Sequence, residues 1–338
     1  MERLPFVSVL LPVFNGKAYL AEALESVQRQ TYKNFEIISI DDGSHDGSFD
    51  VLKSASLVDS RIRVSRQSNR GIAATTNALF AAAARATYFC LFDQDDIMLP
   101  NCIERLVEHM SSHPDAGAAC GSAEFVDSKG QVFPGSTFNI GKSFAVADLK
   151  LKRELPGKSD GFINPGSLWR REVVMAMNGY REAFVHGQDF DLWMRVGERH
   201  PIHSLTETLV RYRIHDSNTH KREPKRYASY LQVVKFSAAA RKHKLDDNKI
   251  IEKLAQGKNS YTAIAEYYSL FDRIPALQAA ALIVLLRDSA PLPHDWSPYK
   301  AATKAIGLSC SWPPTRAKFR YLGAAARILK SSLTREAS

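Results

Sequence analysis

Tyr88-Phe89-Cys90-Leu91-Phe92-Asp93-Gln94-Asp95-Asp96 is the stretch whose reading decides the fold. An apolar run passes straight into three carboxylates. A short apolar segment ending in polar residues predicts a strand buried on both faces within a parallel sheet. In open α/β sheets, ligands lie just outside the carboxyl ends of such strands. Three acids crowded at that position repel one another, and a hard cation (Mg²⁺, Mn²⁺ or Ca²⁺) would offset the repulsion. An ion held by few carboxylates completes its shell with water and substrate phosphates. A solvated acidic turn before the helix that starts near Pro100 is the other reading of these residues taken alone.

Upstream, short apolar runs alternate with helical spacing. Strands are expected at Phe6–Pro12, Phe35–Ile40 and Ile62–Val64, and helices at Lys17–Gln30, Asp50–Leu57 and Ile72–Ala84. Downstream, Pro100–His113 reads as a helix. Strand and helix in alternation form βαβ crossovers, which make parallel sheets. After Pro114 the texture changes. Strands are expected at Ala116–Phe125, Phe162–Trp169 and Leu209–Ile214, and helices at Arg171–Met177 and Asp189–Arg199. Residues 131–161 show weak periodicity and read as a loop. Beyond Pro224 the spacing of Tyr227, Tyr230, Leu231 and Val234 is helical, so a domain boundary is expected near 220. The catalytic region 1–220 then divides into halves of about 1–113 and 114–220, followed by a basic helical region, 221–338.

Charge supports that division. The chain of 338 residues carries a net +9, yet residues 1–220 sum to −3 and residues 221–338 to +12. The basic part suits an anionic surface. A nucleic-acid-binding protein would surround its cleft with positive charge and aromatics, whereas this candidate cleft is acidic. Cys90, Cys102, Cys120 and Cys310 show no C-x-x-C spacing, which fits a reducing compartment. The apolar run Ile274–Leu286 is too short to span a bilayer. A cytoplasmic protein, soluble or peripheral on the membrane's cytoplasmic face, is expected.

Several motifs fail. Gly135 through Gly141-Lys142-Ser143 has one residue too many for a phosphate loop, and the turn after the first strand has a single glycine, so no dinucleotide fingerprint is present. What remains is convergence. Asn15 follows the first strand, Asp41-Asp42 the second, and Asp93, Asp95 and Asp96 the fourth; in a parallel sheet all three groups share one edge. Further on, Asp189 opens a helix, as an N-cap or as a functional carboxylate. Arg211, Arg213 and His215 end the last strand, where arginine would suit phosphate and His215 a metal.

At this point the ordered set resembles the family 2 inverting glycosyltransferases, which have the GT-A fold. The pieces stand in the family's order over roughly residues 6–220: Val9-Leu10-Leu11-Pro12-Val13-Phe14-Asn15, Ile40-Asp41-Asp42-Gly43-Ser44, Asn69-Arg70-Gly71 with Asn77, Phe92-Asp93-Gln94-Asp95-Asp96, Asn164-Pro165-Gly166-Ser167, Asn178-Gly179-Tyr180 and Gln188-Asp189-Phe190-Asp191-Leu192-Trp193. The resemblance implies an α/β fold of GT-A type: a Rossmann-like, mostly parallel sheet flanked by helices, with a mainly helical C-terminal region. It implies a nucleotide-diphosphate sugar as donor and a saccharide or lipid-linked hydroxyl as acceptor, in cell-envelope polysaccharide or lipid-linked oligosaccharide synthesis. Asp41 would contact the donor base, with Pro12, Phe14 and Asn15 lining the pocket and Asp42, Asn69, Arg70 and Asp93 completing the nucleotide-sugar site. Asp95, with His215, would hold Mn²⁺ or Mg²⁺, and Asp189 would be the general base. The family's usual Glu before that Asp is Gln188 here. A sugar nucleotidyltransferase shares the sheet and the metal but needs a Gly-rich loop that Pro12–Gly16 does not supply. A basic anion- or nucleic-acid-binding protein is the non-enzymatic alternative.

Overall fold

The computed structural model describes residues 4–138 and 163–223, and scattered positions between 226 and 255. By its internal contacts the chain forms two compact units, 1–224 and 225–338. The first unit opens with β1 (Val7–Val13), α1 (Lys17–Gln28), β2 (Phe35–Asp41), α2 (Ser48–Val58), β3 (Ile62–Arg66), α3 (Ile72–Ala82) and β4 (Tyr88–Leu91). A two-residue strand, β5 (Ile97–Met98), and α4 (Cys102–Ser112) follow. Then come β6 (Ala118–Val126), β7 (Val132–Phe138), β8 (Ser167–Arg170), α5 (Arg171–Ala176), α6 (Gln188–Gly197), β9 (Ile202–Arg213) and α7 (Thr219–Arg222).

One nine-stranded sheet runs in the order β3-β2-β1-β4-β8-β6-β9-β5, with β7 paired to β6. The strands β3, β2, β1 and β4 are mutually parallel, as the βαβ alternation requires. Beyond β4 the sheet is mixed: β8 lies antiparallel to β4 and β6, while β6 and β9 are parallel. The central strand β1 is buried on both faces. Val7, Val9, Leu11 and Val13 pack with Leu20, Leu24 and Val27 of α1 on one side. Leu10, with Ile38, Ile40, Phe89 and Leu91, packs with Leu79 and Phe80 of α3 and with Trp169 and Trp193 on the other. Fully burying each such aliphatic side chain stabilises by about 1.5–3 kcal/mol, so the parallel half is the rigid base from which the strand-end loops project.

The structure departs from the sequence expectation at several elements: β5 has no expected counterpart, and β8 begins at Ser167, with residues 163–166 outside the strand. Residues 131–161 do not all form a loop, because β7 returns along β6. The turn that sends it back is local. Asp127 accepts from the amides of Lys129 (2.8 Å) and Gln131 (2.9 Å), and Gly130 takes φ +79°. The turn, rather than any periodicity in β7, brings the strand round. Residues 139–162 lie outside the described residues. The last strand is also longer than expected, beginning at Ile202, because its first half is covered by β6 rather than patterned by alternation.

In the second unit, Val233 and Val234 are buried and α8 (Asn248–Ala255) is helical. Ile274–Leu286 and Cys310 fall outside the described residues. Among the described residues, no helix is long and apolar enough to cross a membrane.

Candidate active site

The parallel arrangement carries the ends of β1, β2 and β4 to one edge, as expected. The turn after β1 is welded to the turn after β2. Asn15 donates its amide to Ser44 Oγ (2.9 Å) and accepts from the His45 amide at its Oδ1 (3.0 Å), while Gly16 donates to Ser48 Oγ (2.9 Å). Asn15 holds φ +49° to do so. Its side chain thereby ties the two turns together, and Phe14 beside it is 44% exposed. Pro12, near the end of β1 opposite Ile40, is half-buried.

Gln94 locks the acidic stretch to the turn after β1. Its Oε1 accepts from the Phe14 amide (2.9 Å) and its Nε2 donates to the Phe14 carbonyl (3.0 Å), extending the strand pairing with a side chain. A Cβ at position 16 would stand 2.2 Å from Gln94 Oε1, so only glycine leaves room for this clasp.

Asp41 is fully buried. Its Oδ1 accepts from the Ser44 amide (3.1 Å) and pairs with Arg66 Nε (3.1 Å), while its Oδ2 has no hydrogen-bond partner among the described residues. A buried acceptor without a partner is costly and suits a ligand N–H. Asp42 behaves differently. Its two oxygens accept from the amides of Arg70 (2.8 Å) and Gly71 (2.9 Å), and its Oδ1 also from Gln67 Nε2 (2.8 Å). Asp42 thus holds the loop after β3 in place, with Asn69 and Arg70 exposed upon it.

The three acids after β4 have three environments. Asp96 is buried and accepts from the Arg213 amide (2.8 Å). Burial pushes its carboxyl well above the usual range, with Asp95 and Asp93 adding to the effect. Asp93 is half-buried; burial, then the charges of Asp95 and Asp189, raise it to about 8. Asp95 places Oδ2 2.9 Å from His215 Nε2.

Arg213 fixes the position of this turn. Only 1% exposed, it donates from Nε to the Asp95 carbonyl (2.8 Å), from Nη1 to the carbonyls of Asp127 (3.2 Å) and Ser128 (3.4 Å), and from Nη2 to Glu22 (2.6 Å). Its guanidinium also covers the Tyr19 ring at 4.8 Å. It belongs to the scaffold and does not face a phosphate.

The residues present fit a divalent ion. Asn218 accepts from the His215 amide at Oδ1 (2.7 Å), which orients its Nδ2 donor 3.1 Å from His215 Nε2. A ring nitrogen that accepts from Asn218 presents no proton to Asp95. With its one lone pair turned from Asn218 to a cation, His215 Nε2 could share that ion with the Asp95 carboxylate. Adjacent ligands of an octahedral ion with bonds of about 2.0–2.1 Å lie roughly 2.9 Å apart, which matches the observed Asp95–His215 spacing. Oxygen with imidazole is a donor set suited to Mn²⁺ or Mg²⁺.

Asp189 comes from α6, and its charge acts on Asp93. It is not an N-cap: Gly187 takes that place at φ +70°, and Asp189 lies one residue inside α6. The helix start is anchored by fully buried Asp191, which pairs with Arg195 (2.7 Å); Arg195 in turn donates to the carbonyls of Met177 and Gly179 (2.7 Å each). Asp189 Oδ1 accepts from the Phe190 amide (2.8 Å), and burial raises its carboxyl. Tyr180 completes the cluster. Burial and then the charges of Asp189 and Asp93 push its hydroxyl well above the ordinary range. Asn77 clasps its backbone through two bonds, 2.9 and 2.8 Å. The only signal for Tyr180 in the sequence was its place in Asn178-Gly179-Tyr180. No single-residue pattern marked Gln94 or Arg213 as a scaffold residue.

Comparison with known proteins bears on the family and the fold. The profile of glycosyl transferase family 2 matches residues 8–177, which takes in the β1, β2 and β4 edges and stops short of Asp189 and His215. An uncharacterized glycosyltransferase of Haemophilus influenzae is 29% identical over 227 residues, covering 65% of this chain and 68% of that protein. Glycosyltransferase GlyG of Streptococcus pneumoniae is 33% identical over 147 residues, 43% of this chain and 48% of its own length. The chain thus spans about two thirds of one relative and just under half of the other. Among solved structures, Staphylococcus aureus TarS (residues 1–349) in complex with UDP superposes with a TM-score of 0.56 at 15% identity, over 90% of this chain and 88% of that one. TarS in complex with UDP-GlcNAc superposes at 0.55, over 88% and 83%. At that identity the likeness is one of fold.

Proposed function

This chain belongs to glycosyl transferase family 2, and on that premise we propose that it transfers a sugar, with inversion, from a nucleotide-diphosphate donor to a hydroxyl acceptor, aided by a divalent ion held by Asp95 and His215. The observation that carries the reading is the approach of Asp189 to the strand-end acids: its charge and that of Asp95 both bear on Asp93. The strand ends thus supply a donor site and α6 a base.

Each residue has a task. The partnerless Oδ2 of Asp41 accepts an N–H of the donor base, and the Phe14 ring covers that base against Pro12. Asn15 and Asp42 hold the loops that form the pocket, and Asn69 and Arg70 line its rim. Asp93 accepts from the ribose or the water shell of the ion. The ion itself, when bound, neutralises the diphosphate leaving group as a Lewis acid. Asp189 keeps Oδ1 on the Phe190 amide and offers Oδ2 to the acceptor. As the acceptor oxygen bonds to the anomeric carbon, its proton passes to Asp189 Oδ2, and the bond to the phosphate oxygen breaks with its electron pair leaving on the diphosphate. A carboxyl raised by burial is a stronger proton acceptor for this step. Gln188, in place of an acid, leaves the position immediately before the base uncharged.

Two crystal structures of TarS hold UDP and UDP-GlcNAc, which favours a uridine donor here. The acceptor is a saccharide or a lipid-linked chain in envelope polysaccharide synthesis, and the basic region 221–338 brings the protein to an anionic membrane surface. The catalytic region is 1–220, with the nucleotide half before Pro114. The test of the base is Asp189→Asn: turnover falls at least about a thousandfold while UDP affinity changes less than about twofold. Retained turnover would sink the assignment.

A further inference from the structure

Away from the acidic edge, three histidines converge. His109 lies in the last turn of α4 and His113 caps the same helix at i+4, so both rings project from one face. The beginning of β9 contributes His203. One nitrogen from each ring lies within 4.8 Å of the others, and His109 Nε2 is 2.7 Å from His203 Nδ1. The rings of His109 and His113 stack at 4.2 Å, and both meet His203 edge-on, at 4.9 and 4.8 Å.

We propose that His109, His113 and His203 form a transition-metal site, taking Zn²⁺ or an ion of similar preference, that staples α4 to β9. Three observations support it. Imidazole nitrogens are borderline donors that suit Zn²⁺, Ni²⁺ and Cu²⁺ better than Mg²⁺. Two of the rings, His109 and His203, are held toward the ligating, unprotonated form. Burial, then His113, His203 and Arg105, push His109 down to about 4, and burial with His113 also lowers His203. Metal ligands must be deprotonated, so at neutral pH these two rings release no proton on binding. The tautomer of His113 is also set. Its Nδ1 donates to the His109 carbonyl (2.8 Å), which leaves Nε2 as the lone pair.

The geometry needs small movements. Tetrahedral Zn–N bonds of about 2.0–2.1 Å set the ligand nitrogens roughly 3.3–3.4 Å apart. The His109–His203 pair opens by about half an ångström and His113 swings inward. All three side chains are half-buried, so both movements are torsional. The charges around the cluster are compatible. Arg105 is held by Glu207 (2.8 and 2.7 Å) and Glu108 (2.5 Å), and Asp115 acts on His203 as a nearby anion. Asp115 or water takes the fourth position.

This site is separate from the one at Asp95. His203 precedes Arg213 by ten residues on one strand, about 30 Å at the rise of β structure. The consequence for function is mechanical. The far end of α4 follows the Asp93–Asp96 turn, and the far end of β9 carries Arg213, which anchors that turn. A metal at the three histidines ties the near ends of the same two elements.

The test uses the full chain without an affinity tag, titrated with Zn²⁺ at pH 7.5 in parallel with Asp95→Asn, which removes the other candidate site. The expected result is one Zn²⁺ per chain in both proteins. Affinity should fall at least about thirtyfold in His109→Gln and His203→Gln, and Tm should rise roughly 5–10 °C at zinc a hundredfold above Kd. Co²⁺ in place of zinc should give the visible absorption of a tetrahedral nitrogen site. His113→Gln, at the helix end, is the variant least able to disturb folding, and unchanged circular dichroism with lost zinc would separate ligation from unfolding. Zinc binding that disappears in Asp95→Asn, or that persists at full affinity in His203→Gln and His113→Gln, would overturn the proposal. So would the absence of stoichiometric zinc binding.

Discussion

Replacing Arg213 by lysine tests whether the acidic turn is positioned by the interior rather than by its own sequence. Lysine keeps the charge and loses the fork. The guanidinium reaches the Asp95 and Asp127 carbonyls and Glu22 from three separate nitrogens, and an ammonium at one point cannot span them. Two carbonyls would then lose a charged donor, at about 1.5–3 kcal/mol each. The Glu22 partner is 51% exposed, so its share is small. The total is about 3–6 kcal/mol, comparable with breaking a buried charge network. In a unit of this size each kcal/mol lowers Tm by roughly 2–4 °C, so a fall of about 10 °C is expected by calorimetry. Function should suffer beyond stability. With the Asp95 carbonyl released, Mn²⁺-dependent UDP affinity should drop at least about tenfold at a temperature where the variant is folded, equivalent to roughly 1.4 kcal/mol. Stability within about 1 kcal/mol of the natural chain, together with unchanged UDP affinity, would refute the reasoning and place the turn under the Gln94 clasp alone.

The acidic cluster also sets a pH dependence. Asp93 is raised to about 8 by burial, Asp95 and Asp189, against about 3.9 in an unfolded chain. Between those values the folded state holds a proton that the unfolded state releases, so stability of the metal-free protein falls as pH rises from about 4 to 8. Thermal scans of Asp93→Asn over that window should show a flatter decline; an equally steep one would contradict the assignment. For the basic region, the full chain should co-sediment with anionic vesicles and not with zwitterionic ones, and should be released by high salt. Equal sedimentation with both would remove the membrane reading.

Apart from β5, the half of the fold before Pro114 was legible because each element there carries its own period. Strands β1, β2 and β4 are apolar on both faces, and the helices between them show one buried stripe. Elements defined by a distant partner were not legible. The strand β5 has two residues and exists because Ile97 and Met98 pair with Arg211 and Val210. Antiparallel β8 has no signal of its own orientation. The same division holds in the site. Asp41, Asp93, Asp95 and Asp189 became candidates by position alone, at strand ends and a helix start. The roles of Gln94 and Arg213 depend on partners 80 and 191 residues away, and local patterning carries no record of such distances. Asp42 shows the reverse error: its position suggested a ligand contact, yet its oxygens meet the loop amides of Arg70 and Gly71.

The most direct test of the account is calorimetric titration of UDP and GDP, each with and without Mn²⁺, into the natural chain and into Asp95→Asn. UDP should bind with Mn²⁺ present, weakly or not at all without it, and at least about tenfold less tightly in the variant. UDP binding that is indifferent to both the metal and Asp95 would contradict a donor site built on the strand-end acids.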